Sequence, residues 1–264
     1  MLKHDDSEKA AALIAELWRE GGQMEALPEP LRPATRGDGY AIQTHLENMS
    51  AMPLFGWKIA ATSEGGQRHI GVDGPLAGRL LAERVLQPGE TPSLNGNHMA
   101  VAEPEFAFRI GKTLAPRKQP YDRDEVLAAV EALHLAIELP SSRFADFASV
   151  GAPQLIADNA CTHQFLLGPV VDEAWRNRDL SQHGVTGHVA GKHREEGSGG
   201  AVLGDPRTAL AWLANEVSSL GLDLVAGQVV TTGTCTTPLS ITPGDQVIAD
   251  FGDLGQVGLT IARS

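Results

Sequence analysis

Residues 101–110 alternate in character, and this alternation predicts a β-strand with two different faces. Phe106 and Phe108 share one face, which is apolar enough to pack in a core. Glu103 and Glu105 share the other face, where their backbone positions lie about 7 Å apart. Their carboxylates repel each other unless a positive charge lies between them, and a divalent cation is the simplest such charge.

A third acid ends a second segment of the same kind. Leu133, Leu135 and Ile137 recur at every second position, so we expect a mostly buried strand that ends at Glu138. No histidine or cysteine lies at a matching spacing, and three carboxylates favour Mg²⁺ or Mn²⁺ over zinc. Acids that alternate along a solvent-facing strand are the other interpretation, and the spacing alone does not decide between the two.

The composition describes a chain with a large core and an acidic surface. Its 264 residues, of which 42% are hydrophobic, predict one compact unit with a small appendage. The net charge of −12 argues against nucleic acid and anionic membranes as partners. Cys161 and Cys235 are too few for a disulfide framework or a thiolate zinc site. Because the N-terminus is charged and no apolar run reaches membrane length, we expect a cytoplasmic protein.

The order of helical and strand patterns predicts an α+β fold, because strands dominate the second half of the chain. Two N-terminal helices, one capped by Ser7 and one over Tyr40–Met49, are expected to form a small helical cap over residues 1–53. Residues 54–264 would then form the main body. In that body the spacing predicts helices over Asp122–Ala132 and from Asp205-Pro206 onward, a loop over Gly191–Gly200, a strand over Gln228–Thr232, and a hairpin that joins Val247–Phe251 to Val257–Ile261.

Lys58 is the basic residue that suggests chemistry. It lies in an apolar, strand-like run between Trp57 and Ile59. A lysine in this position either extends to solvent from an edge strand or is buried beside carboxylates. In the second case its ammonium could stabilise a developing enolate or transfer a proton.

Seven short motifs occur in the order in which one known superfamily carries them, and they extend over most of the chain. They are Gly56-Trp57-Lys58-Ile59, Glu103-x-Glu105, Glu138, Ala157-Asp158-Asn159-Ala160, Val202-Leu203-Gly204-Asp205-Pro206, Trp212-Leu213-Ala214-Asn215 and Thr231-Thr232-Gly233-Thr234. By these motifs the chain resembles the fumarylacetoacetate hydrolase superfamily, and within it the 2-keto-4-pentenoate hydratase and 4-oxalocrotonate decarboxylase branch. The resemblance implies a mixed β-roll, a strongly curved set of sheets with the metal at one open end.

The resemblance also implies roles for individual residues. Glu103, Glu105 and Glu138 would bind Mg²⁺ or Mn²⁺, and Lys58 would lie near the substrate as a catalytic residue. Asp158 matches a polar position near the site and would be a catalytic residue: the water that adds to the substrate would be activated by Asp158 or by a metal-associated group. A loop-capping aspartate is an equal alternative. Thr234 matches a position whose hydroxyl and amide meet the substrate carboxylate, and the alternative is an ordinary threonine at a strand end.

The expected reaction is hydration of a 2-hydroxy-2,4-dienoate, the enol of a 2-oxo-4-enoate, to a 4-hydroxy-2-oxo acid, as in aromatic meta-cleavage catabolism. The same residues would also serve a 4-oxalocrotonate-type decarboxylase or a C–C hydrolase of acylpyruvate-like diketones. A non-catalytic partner subunit is a further alternative. A hydrolase would need a histidine–glutamate pair, for which His69 is available without a clear partner.

Two features bear on the substrate and on assembly. Leu76 and Cys161 stand where branch members usually carry an acid and a serine, and both replacements predict a less polar pocket. The resemblance implies a homo-oligomer, or a complex with a homologous decarboxylase or hydratase. The partner predicted at the site is a small 2-oxo or 2-hydroxy dienoic acid.

Overall fold

Strands outnumber helices in the computed structural model, which describes residues 2–263. The α-helices are α1 (His4–Glu20), α2 (Arg36–Asn48), α3 (Glu64–His69), α4 (Arg123–Ala128), α5 (Ala152–Ala157) and α6 (Pro206–Ser219). The strands are β1 (Gly56–Ala60), β2 (Leu76–Leu80), β3 (Val85–Leu86), β4 (Val101–Ile110), β5 (Val130–Leu139), β6 (Gln164–Val170), β7 (Gly184–Val189), β8 (His193–Ser198), β9 (Val229–Thr234), β10 (Leu239–Ser240), β11 (Gln246–Asp250) and β12 (Gln256–Thr260). This content confirms the predicted α+β class.

The strands form two sheets that pack against each other, a larger mixed sheet and a smaller antiparallel one. The larger sheet has eight strands in the order β2-β1-β9-β4-β5-β6-β3, and β10 pairs with β4. Within it β1 runs parallel to β9 and β3 runs parallel to β6. The smaller sheet has the order β12-β11-β7-β8. Phe251, just after β11, packs edge-on against Phe106 of β4 at 4.9 Å between ring centroids, so the apolar face predicted for β4 does lie in the core.

The two N-terminal helices share a small apolar cluster with the main body. Ile14 of α1 and Ile42 of α2 pack with Phe144 and Ala157. α2 begins with a capping box between Thr35 and Asp38, which satisfies its first amide groups. The division of the chain into a helical cap over residues 1–53 and a body over residues 54–264 remains a prediction.

The cap predicted for α1 is wrong by one turn. The helix begins at His4 with Lys3 as its N-cap, and Ser7 lies inside it. The Ser7 hydroxyl donates to the carbonyl of His4 at 2.7 Å and is buried, so it is used within the helix. Gly21 ends the helix in the left-handed conformation at φ 68°, as its position after the last apolar residue indicates.

Two further boundaries differ from the sequence pattern because strand pairing overrides it. Asp122 does cap a helix, but that helix ends at Ala128, and β5 begins at Val130 to pair with β4. Gly191–Gly200, predicted as a loop, contains β8, which is an edge strand paired with β7. Its polar composition fits an edge strand whose side chains are mostly exposed. The helix after Asp205, the strand near residues 228–232 and the C-terminal hairpin are confirmed.

The helices are too short or too polar for a bilayer. Across residues 2–263, none combines the length and the apolar character that a membrane span requires.

Candidate active site

Three carboxylates meet where β4 and β5 pair. Glu103 lies directly opposite Glu138 in the antiparallel register, and Glu105 is two residues further along the same face of β4. One carboxylate oxygen from each residue lies within 4.8 Å of the other two. The structure therefore brings together the three acids that the alternating segments presented separately.

Glu105 is oriented by strand β9. The Thr231 hydroxyl and the Gly233 amide, the latter at 2.9 Å, both donate to Oε2 of Glu105. Gly233 is required here, because its φ is 104° and a Cβ would lie 2.2 Å from the Thr62 hydroxyl. Sequence reasoning missed Thr231 and Gly233 as functional residues, although both lie in the Thr231–Thr234 motif that carried part of the resemblance.

Lys58 lies beside the acids and is 3% exposed, so the buried interpretation of this lysine is the one that the structure supports. Its Nζ lies 3.1 Å from Oε1 of Glu138 and donates a hydrogen bond to the carbonyl oxygen of Ala160 at 2.9 Å. Burial by itself lowers the pKa of Lys58, but the charges of Glu138 and Glu103 outweigh it and raise that pKa above its ordinary value. Lys58 therefore stays an ammonium.

The acids are held in a site that disfavours their charged forms. Burial, followed by the charge of Glu138, raises the pKa of Glu103 to about 7. The same two causes raise the pKa of Glu105 well above its ordinary value, and burial raises that of Glu138 against the attraction of Lys58. One lysine cannot compensate three carboxylates, so the cluster is short of positive charge.

Several buried oxygens in the cluster also lack a hydrogen-bond donor. Oε1 of Glu105 and Oε2 of Glu138 have none among residues 2–263, and Oε1 of Glu138 has only the Lys58 ammonium nearby, at 3.1 Å. Buried polar atoms normally have a partner, and hard oxygen ligands of this kind suit Mg²⁺ or Mn²⁺. The residues present therefore fit a single divalent cation, because their buried oxygens lack donors and because the cluster is short of positive charge.

Through Glu103, the cluster borders a cavity of about 780 Å³. Glu103 and Lys58 line it directly, as do Thr234 and Cys161. Residues just before and within α3, together with Phe147, form part of the remaining wall. A volume of this size accommodates a small organic acid with a substituent, since ligand pockets commonly measure about 300–1,000 Å³.

The remaining predicted pocket residues differ in position. Thr234 lines the cavity, and its hydroxyl donates to the carbonyl of Thr236 at 3.0 Å. Burial raises the pKa of the Cys161 thiol to about 12, so Cys161 is a neutral, weakly polar wall residue. Leu76 does not line the cavity. It is 1% exposed and packs in the main core, so its effect on pocket polarity was predicted wrongly.

Asp158 is fully buried and makes an ion pair with Arg143. Its Oδ2 also accepts a hydrogen bond from the Ser142 hydroxyl at 2.7 Å. Its carboxylate does not line the cavity, unlike that of Glu103. The structure therefore places Asp158 in a network that fixes the loop after α5, and it does not bring Asp158 to the three acids.

Comparison with known proteins agrees with this geometry. Residues 37–262 match the profile of the fumarylacetoacetate hydrolase C-terminal family, which is most of the chain. The chain belongs to the fumarylacetoacetate hydrolase family. This membership confirms the resemblance inferred from the motifs, and with the mixed sheets described above it confirms the predicted fold class.

Relatives that resemble this chain in sequence are named as enzymes. The chain is 31% identical over 253 residues to a 2-keto-4-pentenoate hydratase of Paraburkholderia xenovorans, covering 95% of this chain and 93% of the relative. It is also 31% identical over 207 residues to a 4-oxalocrotonate decarboxylase of a Pseudomonas species, covering 78% and 77% of the two chains. The chain is thus an enzyme of this family, with a relative that is a hydro-lyase.

A solved structure shows the same fold over nearly the whole length. It is the 4-oxalocrotonate decarboxylase from Pseudomonas putida G7 complexed with magnesium and adipate, with a TM-score of 0.89, 23% identity and 99% of each chain covered. The short N-terminal helices are therefore part of the shared fold.

Proposed function

We propose that this chain is a metal-dependent hydratase that adds water to a 2-hydroxy-2,4-dienoate and yields a 4-hydroxy-2-oxo acid, as in the catabolism of aromatic compounds. The observation that carries the proposal is the trio of Glu103, Glu105 and Glu138 with Lys58 beside it at the wall of a cavity. The named function of the hydratase relative supports the same reaction.

The proposed cofactor is Mg²⁺ or Mn²⁺, held by Glu103, Glu105 and Glu138. Structures of the similar decarboxylase hold magnesium in one case and calcium in another, and both are hard cations that favour oxygen ligands. When bound, such a cation supplies Lewis-acid polarisation of a substrate oxygen and offsets the negative charge of the cluster.

In this proposal Lys58 is the group that holds or moves a proton at the substrate. An ammonium has three N–H donors, and the Ala160 carbonyl and Glu138 take two of them. The third is free for an enolate oxygen or for proton transfer to the dienol carbon chain. Thr234 is proposed to meet the substrate carboxylate, which requires that its hydroxyl exchange its bond to Thr236.

The water that adds to the substrate needs a general base. Glu103 is the one carboxylate of the trio that lines the cavity, so we assign it the orientation of this water and the acceptance of its proton, in addition to its place in the cluster. A catalytic role of Asp158 at the reacting atoms stays a prediction. Its position supports a role in fixing the loop that follows α5.

Decarboxylation of a 4-oxalocrotonate-type acid is the second candidate, and the decarboxylase relative favours it. That substrate carries a second carboxylate, which would seek a second cation. Lys58 is the only lysine or arginine that lines the cavity among residues 2–263, and it is already paired with Glu138. This charge balance supports hydration of a monocarboxylate over decarboxylation of a dicarboxylate.

Hydrolysis of a diketone has less support. His69 lines the cavity, but no ion pair joins it to an acid among residues 2–263, and its ring instead meets that of Phe147 edge-on at 6.1 Å. A hydrolase would need such an acid to orient the histidine.

The purified protein should be incubated with Mn²⁺ and either 2-hydroxypentadienoate or 4-oxalocrotonate. Loss of the dienol absorbance without release of carbon dioxide supports hydration, and carbon dioxide from the second substrate supports the decarboxylase. A chain that binds Mn²⁺ and turns over neither substrate would contradict both reactions and leave the diketone hydrolase and the non-catalytic partner subunit. Glu103→Gln should abolish turnover. The matched control is Glu131→Gln, which changes an exposed acid on β5.

We also propose that the chain forms a homo-oligomer or a complex with a homologous decarboxylase or hydratase. The family resemblance supports this assembly. Light scattering of the purified protein, alone and mixed with such a homologue, tests it, and a monomer under both conditions would contradict it.

A further inference from the structure

The loop after α5 contains a turn of unusual backbone conformation. Asn159, Ala160 and Cys161 are consecutive and have φ values of 54°, 50° and 62°. Residues other than glycine rarely adopt this left-handed region, and three in succession require surroundings that enforce it. The middle residue of this turn supplies the carbonyl that accepts the hydrogen bond from Lys58.

Asn159 ties the turn to β2. Its side-chain Oδ1 accepts from the amide of Arg79 at 2.6 Å, and its Nδ2 donates to the carbonyl of Arg79 at 2.8 Å. In the pairing of β1 with β2, Arg79 lies opposite Trp57, and Trp57 is the residue just before Lys58 on β1. The turn is therefore tied to the sheet beside the strand that carries the lysine.

Gly78 lets the turn approach Lys58 closely. Gly78 lies directly opposite Lys58 in the same pairing. A Cβ at this position would lie 2.5 Å from the carbonyl oxygen of Asn159, 2.5 Å from the hydroxyl of Thr162 and 3.0 Å from Cγ of Lys58. The absence of a side chain at Gly78 thus creates the space in which the turn and the stem of Lys58 pack together.

A buried arginine fixes the turn from its other side. Arg143 donates to the carbonyl of Asp158 and, at 2.9 Å, to the carbonyl of Thr162, which are the residues just before and just after the three left-handed positions. Each end of the turn therefore has its own hydrogen bond, in addition to those of Asn159.

We propose that the turn Asn159–Cys161 is a positioning device for Lys58: Asn159 and Gly78 fix the Ala160 carbonyl so that it occupies one N–H of the ammonium and directs another toward the substrate. The role in turnover rests on the proposed function of Lys58. The geometric part of the proposal, that the turn determines where Nζ of Lys58 lies, is independent of the proposed function. Small displacements of a reacting group can cost roughly a hundredfold in rate, so a device of this kind has a measurable effect.

Asn159→Gly is the primary test, because glycine keeps the left-handed backbone and removes only the side-chain ties to Arg79. Asn215→Ala is the matched control. Asn215 makes the same pair of bonds to the backbone of Tyr121, at 2.7 Å and 3.0 Å, away from the cavity. Gly78→Ala is a second test that displaces the turn by contact, and its control is Gly184→Ala, where a Cβ meets nothing within 4 Å.

Two readouts separate positioning from folding and from the proposed reaction. The first is turnover per bound Mn²⁺, which a purely structural loss of folded protein leaves unchanged. We expect a fall of at least about tenfold in Asn159→Gly and Gly78→Ala, with KM and the Mn²⁺ affinity close to those of the two controls. Turnover per bound Mn²⁺ within twofold of the controls would overturn the proposal.

The second readout needs no activity. Reductive methylation of the metal-free protein, followed by peptide mass spectrometry, measures the reactivity of Lys58 against the exposed Lys9 and Lys118. Release of Nζ from the Ala160 carbonyl should raise the relative rate at Lys58 at least about tenfold in both test variants and in neither control. An unchanged rate would refute the positioning. A raised methylation rate at Lys58, in a protein that turns over neither substrate, would support the positioning by the turn and refute the proposed function.

Discussion

The raised pKa of Glu103 makes the stability of the metal-free protein depend on pH in a defined direction. This pKa is about 7 in the folded protein, against the ordinary value of 4.5. Below pH 4.5 the carboxyl is neutral in both states and costs nothing. As pH rises from 4.5 to 7 the unfolded chain loses its proton first, so the folded state is progressively destabilised. Above pH 7 the full cost of about 3 kcal/mol is present, since one pKa unit corresponds to about 1.4 kcal/mol.

Glu103→Gln removes this cost and should therefore stabilise the metal-free protein at high pH. The difference in the free energy of unfolding between variant and wild type should grow by roughly 2–3 kcal/mol in favour of the variant between pH 5 and pH 8. For a chain of this size that corresponds to roughly 5–10 °C in Tm. Thermal melts in EDTA across this range measure it, with Glu131→Gln on the same sheet as the control.

Mn²⁺ should stabilise the wild type more than Glu103→Gln, and the difference should grow with pH. Protons and the cation compete for the same oxygens, so the stabilisation of the wild type by Mn²⁺ should be small at pH 5 and large at pH 8. Glu103→Gln should gain much less at pH 8. A metal-free wild type whose Tm follows that of Glu103→Gln at every pH, or a Mn²⁺ shift that is equal at pH 5 and pH 8, would refute the reasoning.

Three further substitutions test single contacts. Lys58→Met should lower kcat at least about a hundredfold, as expected for loss of a proton-transfer group, and leave Mn²⁺ binding by calorimetry largely intact; a merely halved rate would remove Lys58 from the mechanism. Thr231→Val removes the hydroxyl that orients Glu105 and should weaken Mn²⁺ binding roughly tenfold, which an unchanged calorimetric affinity would contradict. Arg143→Met leaves Asp158 as an unpaired buried charge and should lower the free energy of unfolding in urea by roughly 3–5 kcal/mol, whereas a loss below 1 kcal/mol would show that this ion pair is dispensable.

The strands that carry the acids could be predicted because their signal is local. Alternation in β4 and β5 depends only on neighbouring residues, and it correctly gave the faces of Glu105 and Phe106. The register that sets Glu103 opposite Glu138 is a tertiary property, and no local pattern contains it. The family resemblance supplied what periodicity could not.

The errors have the same origin. The helical pattern that follows Asp122 continues past Ala128, but from Val130 onward the chain pairs with β4 and buries Val130 and Leu133 in the core, and this tertiary packing overrides the local pattern. β8 is polar because it is an exposed edge strand, so its composition is that of a loop. Leu76 was assigned to the pocket because branch members usually carry an acid at its position, whereas β2 directs it into the core.

The three acids of the site are not equally constrained, and this asymmetry has a chemical consequence. Glu105 is fixed by two donors from β9, and Glu138 lies against Lys58, which is itself fixed by the Ala160 carbonyl. The Glu103 carboxylate has no hydrogen bond or ion pair among residues 2–263, and it alone of the three lines the cavity. Two of the proposed ligands are therefore preorganised, while Glu103 is free to shift its oxygens or its proton as substrate and water enter. A group proposed to release a proton and then orient water gains from this freedom, because a carboxylate held by two donors cannot turn to follow that water.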